Sequence, residues 1–323
     1  MTPTITKPPF PPPTPTTPVA QKNNFVQNAG KPQVLKAPPK KKSFTLEDEE
    51  SQCVKTLLFG FPGTGKTLAA GHLILGGYKV AMLATDMGGS GHESIRSLLK
   101  KEGRKDLFKN LLIIPVKGYK ETNSFLEQPF KFCPELESFS PDFLMWDGFG
   151  SWQQVDVSEY VGDMAPAKDK DRGDFRESGL VLEVQDWGAI KNATIRKVND
   201  FLDINGPDKN YHKILTCHEA TEYKTTAGKS ELVSAYKPLL SGAGAQLVIG
   251  AVDLVLRCKV VTKRGAGADN DDRVYTYVTR GHENTVAKCR GFELAPEEPA
   301  DFLKLWKKIS QNFETGINQP ASD

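Results

Sequence analysis

Eight residues, Gly60-Phe61-Pro62-Gly63-Thr64-Gly65-Lys66-Thr67, constrain this chain more than anything else in it. They fit the spacing G-x-x-x-x-G-K-[ST]. They also fall between a hydrophobic run, Cys53–Gly60, and a helical pattern carrying Leu68, Ala69, Ala70, Leu73 and Leu75. Glycine reaches backbone conformations closed to other residues, so such a loop can turn consecutive N–H groups toward one anion. A helix opening at Gly65 would add the positive end of its dipole. Lys66 can then reach the β- and γ-phosphates of a triphosphate, and the Thr67 hydroxyl can sit on Mg²⁺. Gly60 to Leu68 is therefore the expected nucleotide-binding segment, with ATP and Mg²⁺ as the expected ligands.

The surrounding body has the pattern such a loop needs. Tyr78–Thr85, Leu111–Val116, Phe143–Trp146 and Lys213–Cys217 read, with Cys53–Gly60, as short buried strands. Helical periodicity separates several of them; in Glu183–Asp203 the residues Val184, Trp187, Ile190, Ile195, Val198, Phe201 and Leu202 share one face. Near-continuous apolar strands alternating with helices predict an α/β fold with a mainly parallel sheet covered on both faces. Asp253–Val261 and Arg273–Thr279 flank the Gly/Asp-rich turn Arg264–Asp272 and predict a C-terminal antiparallel hairpin. A last amphipathic helix is expected near Ala300–Phe313.

Three further residues carry chemistry. The metal at such a loop needs a carboxylate on a neighbouring strand, and Phe143-Leu144-Met145-Trp146-Asp147 ends four apolar residues in Asp147, as a Walker B strand does. Hydrolysis needs a group that orients or deprotonates water. Asp86 ends the strand after the loop's helix and precedes the glycine-rich Met87-Gly88-Gly89-Ser90-Gly91, with Glu93 as the rival base. His218 closes the strand Lys213–Cys217 and would reach the carboxyl edge of the sheet, where ligands of open α/β sheets bind, as a γ-phosphate contact. His72, His92, His212 and His282 show no partner spacing and receive no role.

Composition sets the boundaries. The chain has 323 residues, and residues 1–43 hold seven lysines and no acidic residue, so the other 280 sum to −5 against an overall +2. Eleven of the 22 prolines lie in that arm, between Pro3 and Pro39. It is read as a disordered Pro/Lys-rich arm at 1–43, a solvated tail or an electrostatic tether for nucleic acid. An ATPase core at 44–298 and a C-terminal helix and tail at 299–323 follow. No apolar run reaches the roughly 18–20 residues that cross a bilayer, so no membrane partner is expected. Five scattered cysteines without C-x-x-C fit a reducing cytosol.

The order of these parts resembles the RecA-like P-loop ATPase core, and most closely the phage single-strand-annealing ATPases of the Sak type. The resemblance spans about residues 52–292 and includes Leu239-Leu240-Ser241-Gly242-Ala243-Gly244 before a short helix and Ala287-Lys288-Cys289-Arg290 after the hairpin. It implies a RecA-like fold and an ATPase that binds single-stranded DNA as a homo-oligomer, ring or filament, in phage recombination and annealing. A single-strand-binding protein is an implied partner and the host cytoplasm the implied location. By the same resemblance Asp86 takes the catalytic carboxylate's place, where Glu is usual, and His218 that of a γ-phosphate-sensing glutamine. Lys288 and Arg290 match basic residues that reach a neighbouring subunit's nucleotide, and segments 149–178 and 219–238 match the loops lining a DNA channel.

Charge alone does not predict DNA binding in those loops: residues 151–178 carry four basic side chains against seven acidic ones. Trp152, Tyr160, Tyr223 and Tyr236 are the candidate base-stacking aromatics. Two functions stay open, a DNA-dependent ATPase of single-strand annealing and a nucleotide-gated DNA-binding scaffold or loader that hydrolyses little ATP.

Overall fold

The computed structural model describes residues 53–85, 91–153, 184–225, 231–240, 244–264, 271–282 and 284–314. The 1–43 arm, Asp86 and Tyr160 lie outside them. All described residues belong to one compact unit, Glu49–Asp323.

Each expected strand forms: β1 (Lys55–Phe59), β2 (Val80–Ala84), β3 (Leu111–Pro115), β4 (Phe143–Asp147) and β5 (His212–Cys217). The hairpin pairs β8 (Leu254–Arg264) with β9 (Asp271–Val278), so its strands take in Arg264, Asp271 and Asp272 at the two ends of the expected turn. Four strands were not foreseen. An antiparallel ribbon of β6 (Glu219–Thr225) and β7 (Glu231–Pro238) forms a sheet of its own. Short strands β10 (Lys288–Cys289) and β11 (Glu297–Pro299) join the main sheet at β8 and β9.

The main sheet runs β11-β9-β8-β1-β5-β4-β2-β3. It is mixed: β8, β1, β5, β4, β2 and β3 pair in parallel, whereas β9, β10 and β11 add antiparallel edges. The strands of the parallel core are apolar on both sides because helices cover both faces. On one face Leu57, Phe59, Leu83, Leu144, Trp146 and Leu215 pack under α3 (Gly118–Glu127), α6 (Val184–Leu202) and α7 (Gly244–Ala251). The short helices α4 (Pro129–Phe132) and α5 (Glu135–Phe139) complete the run between β3 and β4. On the other face Leu58, Met82, Met145, Ile214 and Leu256 meet α1 (Leu68–Leu75), α2 (Gly91–Lys101) and α8 (Phe302–Glu314). No described helix is long and apolar enough to cross a membrane.

At the amino edge of the sheet, the His212 imidazole lies between Trp306 and Phe143, with ring centroids 4.4 and 5.0 Å away. Its Nδ1 accepts the Val54 N–H at 3.1 Å. Burial, helped by repulsion from Lys213, pushes its pKa down to about 4 from 6.5. The unfolded chain therefore binds the proton first. Stability is full above about pH 6.5 and falls as pH drops toward 4, by on the order of 3 kcal/mol. His212→Asn keeps an acceptor for Val54 but cannot titrate. Urea unfolding at pH 7 and 4.5 should show a smaller acid loss in the variant than in the wild type; equal losses would refute the assignment.

Candidate phosphate and metal site

The site grows from the carboxyl end of β1. Gly63 and Gly65 have φ of +77° and +87°, the left-handed region that other residues adopt at a cost. This also corrects the expected helix start. Gly65 cannot be helical at that φ, so the chain makes one tight turn, with the Ala69 and Ala70 N–H groups donating to the Lys66 and Thr67 carbonyls. Regular α1 begins at Leu68. Gly60 is needed for a different reason: a Cβ there would lie 2.4 Å from the Cys258 carbonyl oxygen on β8.

The loop is pinned from inside. The Thr64 hydroxyl donates to the Phe61 carbonyl at 2.7 Å, and the Lys66 ammonium donates to the carbonyls of Gly60 and Phe61 at 2.8 and 2.9 Å. Phe61 and Pro62 are exposed at its lip. The thiols of Cys217 and Cys258 are both raised by burial, Cys258 to about 12, and Lys66 is the largest opposing charge on each. Lys66 thus acts on the end of β5 and the middle of β8, the two neighbours of β1.

Asp147 is the centre of the site. Its strand is not adjacent to β1, as expected for the acidic strand, because β5 lies between them. The carboxylate nonetheless accepts the Thr67 hydroxyl at 2.9 Å on Oδ2 and the Thr216 hydroxyl of β5 at 2.7 Å on Oδ1. Thr85, at the end of β2, donates to the Asp147 carbonyl through both its hydroxyl and its N–H. Gly91 opens α2 against this pair; a Cβ there would stand 2.9 Å from Asp147 Oδ2 and 3.2 Å from Thr67 Cγ2. A hydroxyl and a carboxylate side by side suit Mg²⁺, which takes oxygen ligands and keeps much of its shell as water and substrate phosphate. The described residues hold no group of three or more His, Cys, Asp and Glu side chains placed for a metal, so phosphate and water would supply the remaining ligands.

The other expected residues fall as follows. His218 follows β5 at the same edge, half-buried, with the Gly150 backbone packed against Cys217 and its own N–H. Glu93 is exposed and paired with Arg96 at 2.9 Å and His92 at 3.3 Å. The Lys288 ammonium donates to the carbonyls of Ile249, Gly250 and Val252, capping the carboxyl end of α7, whereas Arg290 is exposed.

Segment 219–238, expected as a loop, contains the β6–β7 ribbon. Of the expected stacking aromatics, Trp152 is buried against Trp146 and Phe149, and the face of Tyr236 is covered by the Arg257 guanidinium at 3.6 Å. Tyr223, on the ribbon, is 58% exposed.

Sequence reasoning missed Thr216, Thr85 and Gly91, and the buried pair Glu219–Arg257, whose forked contacts are 2.7 and 3.0 Å. Thr216 had a readable signal: it is a polar residue flanked by the apolar Leu215 and Cys217 in a buried strand, one position from its end. Comparison with protein-family models and with curated proteins returns no match.

The two kinds of glycine predict opposite outcomes. Gly60→Ala should cost about 1–3 kcal/mol in urea unfolding, since the methyl meets a strand carbonyl. Gly250→Ala, in α7 with open space around it, should gain up to about 0.5–1 kcal/mol. A neutral Gly60→Ala would show that the loop can move off β8.

Proposed function

We propose that this chain binds Mg-ATP on Gly60–Leu68 and hydrolyses it while acting on single-stranded DNA, as a ring- or filament-forming oligomer in recombination or annealing. The observation that carries the nucleotide half is the Thr67 hydroxyl 2.9 Å from the Asp147 carboxylate, beside a lysine whose ammonium lies over the loop. Loop amides and Lys66 hold the β- and γ-phosphates, and Lys66 offsets the charge that builds during transfer. Mg²⁺ on Thr67 and Asp147 would neutralise phosphate charge. His218, at the end of the strand beside β1, is the polar group offered to the γ-phosphate. Asp86, just past Thr85, is the group offered to the attacking water.

The DNA half rests on the order of parts shared with RecA-like annealing ATPases, and on the lysine-rich arm as a source of phosphate attraction. Of the described candidate stacking aromatics Trp152, Tyr223 and Tyr236, Tyr223 on the ribbon is the exposed one. A single-strand-binding protein as partner and the host cytoplasm as location belong to the same reading. Lys288 and Arg290 remain the candidates for contact with a neighbouring subunit's nucleotide; of the two, Arg290 is the exposed one.

Calorimetry with Mg-ATP and phosphate release with and without single-stranded DNA test this reading. Wild-type protein should bind Mg-ATP and turn it over faster with DNA. Lys66→Ala, which removes charge-assisted phosphate contacts, should weaken binding by about 10-fold or more and abolish the DNA-stimulated rate. Binding without turnover would favour the nucleotide-gated scaffold, and no binding would overturn both.

A further inference from the structure

The Asp147 carboxylate is held by a second threonine that the nucleotide reading does not use. Thr216 is 1% exposed, in the strand interposed between the phosphate-loop strand and the acidic strand. Its hydroxyl accepts the Gly148 N–H at 3.0 Å and stands 2.7 Å from Asp147 Oδ1. A hydroxyl has one proton to give. With its oxygen already accepting from Gly148, that proton is directed at the carboxylate. Gly148 can make this bond because its φ of +86° turns the chain back immediately after Asp147. The carboxylate is therefore fixed on Oδ1 by Thr216, faced on Oδ2 by the Thr67 hydroxyl, and closed in on that side by the backbone of Gly91.

We infer that Thr216 is a positioning residue for the metal: it fixes the plane of the Asp147 carboxylate so that Oδ2 stays with Thr67 at the ion's place. This rests on the Mg-nucleotide reading above and deepens it. Partners that orient a metal's carboxylate ligand typically contribute 10–100-fold to metal affinity. Thr216 should therefore act on the magnesium dependence of nucleotide binding and leave metal-free nucleotide binding, carried by loop amides and Lys66, unchanged.

The test titrates Mg²⁺ into full-length protein with ADP, and separately measures ADP affinity in EDTA. Thr216→Val keeps the shape and removes the proton; its Mg²⁺ half-saturation should rise 10–100-fold with the EDTA affinity unchanged. Thr216→Ser restores a hydroxyl and should return the wild-type curve. Should the valine variant not fold, Thr216→Cys, whose thiol is a weak donor, should shift the curve in the same direction. A wild-type Mg²⁺ curve in Thr216→Val, or an equal loss with and without metal, would overturn this role and leave the nucleotide reading standing. A wild-type protein with no magnesium-dependent affinity would overturn both.

Discussion

A buried carboxylate that receives hydroxyls from two different elements organises this molecule. Asp147 is 6% exposed, and an ionised group so placed needs donors to replace its water. Thr67 comes from the turn after the phosphate loop, and Thr216 from the strand between. The sheet order makes both necessary. β4 lies two strand spacings from β1, roughly 10 Å. Asp147 reaches the loop's turn through the Thr67 hydroxyl. The same turn follows from Gly65 leaving the helical region, so the loop's glycine pattern and the Thr67–Asp147 hydrogen bond express one backbone solution.

What the amino-acid sequence made legible follows from how each signal is written. The five parallel strands announced themselves because both faces are covered and nearly every position is apolar; their ends shifted by only a residue or two. The loop was legible because its glycines answer to backbone geometry, with Gly63 and Gly65 at positive φ. The β6–β7 ribbon was hidden because EATEYKT mixes charged and apolar residues without a clean period of two and is read as a loop, while a bulge at Glu222/Tyr223 breaks its register. Trp152 and Tyr236 look alike in sequence to any surface aromatic. Trp152 is buried among Trp146 and Phe149 of its own stretch of chain, whereas Tyr236 lies under Arg257, a contact distant in the chain. Lys288 read as a free cation because the helix end it caps is 36–39 residues earlier.

The Tyr236–Arg257 contact belongs to a part of β8 that also meets the loop. On β8, Arg257 and Cys258 are consecutive, and each meets a different part of the site. The Cys258 carbonyl packs where Gly60 must lack a side chain. Arg257, in register with Phe59 of β1, grips Glu219 with two contacts and stacks on Tyr236. Glu219 directly follows His218 and opens the ribbon, and Tyr236 lies near the ribbon's return. The Arg257–Glu219 pair is almost fully removed from water, so breaking it would strand a buried charge. Loop, His218 and ribbon base are accordingly held by one stretch of strand. Gly60 packs on the residue beside the one that fixes the ribbon, so strand backbone and a buried ion pair join the glycine loop to the antiparallel ribbon.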